Sequence, residues 1–272
     1  MPEIATYLPL LLLLMGIGAL AGVLAGLLGV GGGIVLVPAF YYTFAGLGYE
    51  SGALMQVCLA TSLATIIVTS ARSVASHHKR GAVNWDILKS WAPGIAAGAV
   101  IGVLVAAGLR STTLQMIFGV LGFAIGLYML LGNAAWRVAD EMPGGALRWV
   151  LSPLVGFLSV LMGIGGGSFG VPIMTLHGIP IHRAVATAAG FGFIIAAPSV
   201  VGFLFVDVTD APPWSLGAVN IPAFLIVIAM TLMTAPLGAQ IAHALDPEPL
   251  KRVFGVFLTL VALNMLRKAV GV

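Results

Sequence analysis

The sequence predicts an all-α integral membrane protein made of two homologous repeats of four hydrophobic segments, the first segment of each repeat broken at a glycine-rich motif. Three observations predict it. Of the 272 residues, 60% are hydrophobic and only 8% charged, whereas a soluble domain carries about 25% charged residues. Too few polar side chains exist to wet a globular surface. Apolar runs near the roughly 20 residues that a spanning helix needs recur along the chain. Finally, Gly29-Val30-Gly31-Gly32-Gly33-Ile34-Val35-Leu36-Val37-Pro38 returns as Gly163-Ile164-Gly165-Gly166-Gly167-Ser168-Phe169-Gly170-Val171-Pro172, each copy inside a long apolar run.

The first run, Tyr7–Leu28, resembles a signal peptide at Leu8–Leu14 and Ala19-Leu20-Ala21. Glu3 precedes it, however, no Lys or Arg does, and the apolar stretch continues to Phe44. It reads as an uncleaved membrane segment. The runs that follow are Ser51–Val74, Ile87–Leu109, Thr113–Leu131, Trp149–Met162, His182–Val206, Asn220–Leu245 and Pro249–Leu266. After each glycine motif comes a short apolar piece, Ile34–Phe44 or Ser168–Leu176. At about 1.5 Å per residue, each covers roughly half a bilayer. Three consecutive glycines cost a helix about 1 kcal/mol each against alanine, so each motif marks a break. In lipid, broken backbone persists only where protein buries it or where it lines a cavity.

The duplication extends beyond the glycines. Ala60-Thr61 matches Ala186-Thr187, Gly81-Ala82-Val83-Asn84 matches Gly217-Ala218-Val219-Asn220, and Leu114 with Phe118-Gly119-Val120 matches Leu250 with Phe254-Gly255-Val256, in the same order. The repeats therefore span residues 1–135 and 145–272. They are joined by a stretch holding Arg137, Asp140, Glu141, Pro143, Gly144 and Gly145, which are turn and solvent residues. Asn84 and Asn220 stand where helix N-caps belong. Gly94, Gly98 and Gly102, like Gly122 and Gly126, are spaced for close helix approach.

The stretch Ala71–Lys89 holds Arg72, Lys79, Arg80 and Lys89 and reads as a cytoplasmic loop by the positive-inside rule. If each break interrupted a crossing, the repeats would be parallel. If each broken segment is a hairpin returning to its starting side, they are inverted. The inverted arrangement distributes the basic residues better and puts Asp207 and Asp210 outside, while Arg267 and Lys268 count against it. Inverted repeats are the expectation.

Several function classes drop out. The lone Cys58 excludes an intrachain disulfide and a thiolate metal site, and the five histidines show no metal-ligand spacing. No metal and no cofactor are expected. No basic patch interleaves with aromatics, so no nucleic-acid partner is expected. No Gly-x-x-x-x-Gly-Lys-Ser/Thr loop is present to hydrolyse ATP.

What the motif offers is an anion site. A helix restarting after the triplet presents unpaired first-turn amides, equivalent to about half a positive charge, and such ends bind anions. Matching breaks in matching halves point to a transporter's substrate site. The candidate substrate-binding residues are Gly31, Gly32, Gly33, Gly165, Gly166, Gly167 and Ser168, with Thr61, Ser62 and Thr187 as hydroxyl donors and Gln56 on the same segment as Thr61. The bland readings are helix packing for the glycines and bonds to their own helix carbonyls for Ser and Thr. His182 and Arg183 read as interface anchors, as does Arg72. Gln240, His243 and Asp207 lie near segment ends, and no buried carboxylate stands out as a proton carrier.

The paired glycine-rich breaks ending in Val-Pro, the Ala60-Thr61-Ser62 run and the four-plus-four segment pattern resemble the TauE/SafE sulfite exporter family. The resemblance implies movement of small sulfur-containing anions, such as sulfite and sulfonates, across the bacterial inner membrane, often outward. The partners expected are such an anion and the lipid bilayer, with a homodimer kept open as the assembly. Half two departs from the pattern at Ala188, which stands where half one has Ser62.

Two alternatives compete. A passive channel shares every feature above. An intramembrane hydrolase would use Ser168 in Gly166-Gly167-Ser168-Phe169-Gly170, which fits Gly-x-Ser-x-Gly. That motif has meaning on a strand–turn–helix elbow, and the first repeat carries Ile34 at the matching position. No catalytic residue is expected. With an interior-negative potential, outward movement of an anion is favoured by about 2.3 kcal/mol per charge per 100 mV, so export can run as a uniport.

Overall fold

The computed structural model describes residues 2–28, 32–49, 51–132, 136–244 and 247–271. Among these, the chain forms α1 (Pro2–Leu28), α2 (Gly33–Gly46), α3 (Leu54–Lys79), α4 (Trp85–Gly108), α5 (Ser111–Leu131), α6 (Gly145–Met162), α7 (Gly167–Leu176), α8 (Ile181–Phe203), the two-residue strands β1 (Ser215–Leu216) and β2 (Val219–Asn220), α9 (Ile221–Ala244) and α10 (Pro247–Val270). Seven of the described helices are long and apolar enough to cross a membrane. This is a multi-pass membrane protein.

Helix ends follow local chemistry. The side-chain carbonyl of Asn84 accepts from the amides of Asp86 and Ile87, both at 3.2 Å, and starts α4. That of Asn220 accepts from Ala223 at 3.0 Å at the start of α9. Both are N-caps, as their position predicts. One expectation is corrected. The basic stretch 71–89 is not a loop: α3 continues to Lys79 and α4 starts at Trp85, because Arg72 and Lys79 extend from an exposed helix end that water can reach. In the connection between α8 and α9, Ser215 pairs with Asn220 and Leu216 with Val219 in a small antiparallel hairpin.

The most apolar windows of α3 and α8 are 83% and 61% buried, against 22% and 28% for α9 and α10. The bundle is therefore organised around α3 and α8, which pack on each other. Around this pair, α1 lies on α9, α4 on α6 and α5 on α10. Every one of these contacts joins a helix before residue 132 to one after residue 145. Exchanging the first five helices with the last five, in order, maps this set of pairings onto itself. Leu104, Val120, Met233 and Leu260 stay exposed on the outer helices, as lipid-facing side chains do.

Small residues permit these pairings. A methyl group on Gly98 would stand 1.9 Å from the Pro153 carbonyl oxygen, and one on Gly156 2.0 Å from that of Ile95. Gly94 meets Ser152 while Gly102 meets Val160, so α4 and α6 run parallel. Gly18 meets Val227 and Gly22 meets Thr231, so α1 and α9 also run parallel. Gly119 meets Leu266 and Gly126 meets Thr259, which makes α5 and α10 antiparallel. The Leu176 carbonyl accepts from Val138 and Ala139 at 2.7 and 3.3 Å. The end of α7 thus lies beside the stretch that leads into α6, and α6–α7 folds back toward its start.

Candidate anion site at the two helix breaks

The second break is built by backbone chemistry. Gly163 takes φ 63°, a left-handed conformation that costs glycine nothing sterically. Its amide donates to Val160 and that of Ile164 to Ser159, both at 2.9 Å. Together these bonds close α6 in a Schellman motif. The Gly163 carbonyl then accepts from Ser62 Oγ of α3 at 2.7 Å. Four residues later α7 starts at Gly167, and the Gly166 carbonyl accepts from Gly170 at 2.7 Å.

At the first break, α1 ends at Leu28 and α2 starts at Gly33. Gly32, at φ 75°, accepts from Val35 and Leu36 at 3.0 and 3.1 Å. Gly31 lies outside the described residues. The two breaks touch: a methyl on Gly33 would stand 2.7 Å from the Gly163 oxygen and 3.0 Å from Ile164 Cα. Gly33, Ser62 and Gly163 are thereby brought to one point in the buried middle of the bundle. Gly165 and Gly167 are buried beside them.

Gly166 faces α8 instead. A methyl there would stand 2.2 Å from Phe191 Cβ and 3.0 Å from the Ala188 oxygen, so this glycine is needed for packing whatever else it does. The hydroxyls also divide. Thr61 Oγ1 accepts from the amide of Asn220 at 3.0 Å, and Thr187 Oγ1 accepts from the amide of Asn84 at 2.9 Å. These are reciprocal bonds between the central helices and the N-caps of α9 and α4. Neither Thr bonds its own helix carbonyl, contrary to the bland reading. Gln56 lies apart from Thr61, where its amide donates to the Ala106 and Leu109 carbonyls at the end of α4. His182 and Arg183 are exposed at the start of α8. The side chains of Gln240 and His243 lie outside the described set.

Among the candidates, Ser168 combines burial with an unused hydroxyl donor, whereas the unpartnered atom of buried Gln56 is its acceptor oxygen. Ser168 is 5% exposed in the first turn of α7, and its Oγ has no hydrogen-bond partner among the described residues. The first-turn amides of Gly167, Ser168 and Phe169 likewise donate to no acceptor among the described residues. Four donors at one buried helix end can take a compact oxyanion. The sequence missed Ser159, fully buried one turn before Gly163 with its Oγ also unpartnered. A serine inside a uniform apolar run carries no periodic signal. The cavities described, of about 340 and 590 Å³, are lined by other residues.

The sequence profile of the sulfite exporter TauE/SafE family matches residues 14–265, nearly the whole chain. The chain belongs to the TauE/SafE sulfite exporter family. Its relatives in that family include a "Probable membrane transporter protein" of Haemophilus influenzae, 34% identical over 95% of this chain and 98% of its own length. One from Methanocaldococcus jannaschii is 28% identical over 96% of this chain and 97% of its own. Another from Bacillus subtilis is 26% identical over 95% and 98%. No solved structure matches the chain. Within this TauE/SafE chain, Ser168 sits at a helix start preceded by a turn and another helix, not on a strand–turn–helix elbow, which removes the structural context a Gly-x-Ser-x-Gly nucleophile requires.

Proposed function

We propose that the chain is a secondary transporter that exports a small oxyanion, sulfite or an organosulfonate, across the bacterial inner membrane. In this reading, residues 1–135 and 145–272 are inverted repeats, and the anion binds where their broken segments meet. The observation that carries it is the start of α7, where buried amides and the Ser168 hydroxyl lack acceptors beside the touching breaks. A neutral donor set suits transport, since binding must be reversible. The inverted arrangement is supported by the fold-back of α6–α7 and by the antiparallel α5–α10 pair, which parallel repeats would make parallel. With Lys79 and Arg80 inside, only Arg110, Arg267 and Lys268 among the basic residues stand outside.

The test is Ser168→Ala in proteoliposomes loaded with sulfite. Loss of one hydrogen bond to a charged group, about 1.5–3 kcal/mol, should lower saturable efflux by roughly ten- to hundred-fold with the melting temperature unchanged. Efflux equal to wild type would remove Ser168 from the site. Non-saturating efflux in the wild type would favour a channel.

A further inference from the structure

We propose a second, peripheral oxyanion site at the opposite end of the bundle from the Lys79–Asn84 turn. It lies in the cavity of about 340 Å³ lined by Arg110, Lys268, Ser51, Thr112, Gln115 and Tyr41. On the orientation proposed above this is the outer face. The binding itself does not depend on that orientation, or on the site at the breaks.

Three positive groups and one hydroxyl that can donate line this cavity. Arg110 is the residue preceding α5, exposed, with no side-chain capping bond and no carboxylate partner among the described residues. The positive end of α5 opens at the same place. Thr112 in its first turn donates its amide to no acceptor among the described residues, whereas Ser111 is tied to the Gly52 carbonyl at 2.8 Å. Lys268 arrives from the end of α10, because α5 and α10 are antiparallel. Its ammonium rests 4.8 Å from the ring centre of Tyr42 and 5.7 Å from that of Tyr41. Tyr42 is itself held by Asn264 Nδ2, which donates to its hydroxyl at 2.8 Å. Ring contacts of this kind fix the cation without neutralising it. The fourth group is Ser51 Oγ, buried with no partner among the described residues.

An isolated Arg and Lys at a membrane end would snorkel apart to the headgroups. Here both line one cavity, with Lys268 held by the tyrosine rings, beside a helix start and a hydroxyl that has no partner among the described residues. That donor set matches a tetrahedral sulfur or phosphorus oxyanion, either free in solution or carried on a lipid headgroup. Glu50 precedes Ser51 in sequence and lies outside the described residues.

Phenylglyoxal modification of Arg110, followed by peptide mass spectrometry on the purified full-length protein, reads this site locally. Sulfate at about twice its dissociation constant should slow modification about threefold by mass action. Arg72 and Arg137, elsewhere on the surface, should be unaffected. Nanodiscs of phosphatidylglycerol, compared with phosphatidylcholine and without sulfate, report the lipid-borne source. Protection by either anion supports the site and names its source. Lys268→Gln should abolish the protection, and Glu50→Gln should preserve or increase it. Arg110 modified at one rate in sulfate, in phosphatidylglycerol and in neither would overturn the proposal, as would protection that survives Lys268→Gln. Ser168→Ala should leave Arg110 protection intact, so failure of the site at the breaks and failure of this one give different results.

Discussion

The two glycine-rich breaks share a sequence and differ in what they leave unsatisfied. After α6, the chain is closed by a Schellman motif, tied down by Ser62, and restarts with Ser168 buried and unpartnered. Before α2, the left-handed Gly32 accepts the first helical bonds, and Ile34, fully buried, occupies the place of Ser168. One break thus offers a polar side chain to a ligand and the other an apolar wall. The two Thr–Asn bonds behave oppositely, since Thr61–Asn220 and Thr187–Asn84 are near copies in partner and length. The matching glycines that start the two short helices differ in backbone, Gly32 at φ 75° and Gly166 at φ −65°, while the two cross-links are alike.

The comparison breaks hardest at Gly163. Alanine there must adopt φ 63° and place its methyl 2.7 Å from Val37 Cγ2 and 2.8 Å from Leu59 Cδ2. The left-handed strain of about 1–2 kcal/mol and overpacking of about 1–3 kcal/mol should together show as a large drop in melting temperature. A variant as stable as wild type would mean that the break is not rigid.

Exchanging the side chains between the breaks sharpens the asymmetry. Ser168→Ala should depress transport, as above, while Ile34→Ser should lower stability by about 1–3 kcal/mol through a buried hydroxyl and lost apolar burial. Equal transport defects in the two would show that both breaks bind the anion in the same way.

Ser62→Ala leaves the Gly163 carbonyl buried without its side-chain donor and should cost about 1–3 kcal/mol in thermal unfolding. Smallest are Thr61→Val and Thr187→Val, each expected to cost about 1 kcal/mol. Their effects should be close to each other and additive, because the bonds share no partner. A twofold difference in their melting shifts would mean that the cross-links, too, have diverged.

Much of the architecture was legible because the bilayer imposes its own ruler. Segments of about 20 apolar residues admit few alternatives, and the helices start and stop within a few residues of the expected runs. The breaks were legible because three glycines in a row contradict the apolar run around them. The roles of individual polar residues were not. Gln56 is spent on α4 carbonyls and Thr61 on Asn220, which lies 159 residues away. Gly166, which reads as a ligand contact, meets Phe191. None of these partners leaves a local period in the chain.

By itself, the order of residues determined that the protein lives in lipid, where the helices run and where they fail. Hydrophobicity and helix propensity are both local or additive properties of the chain. Only the tertiary structure decided that α1 packs on α9 and α6 on α4, that the two breaks touch at Gly33 and Gly163, and that Arg110 meets Lys268 at one cavity. Those outcomes depend on which small-residue face finds which partner across more than a hundred residues, and close packing selects among many faces that are equally apolar.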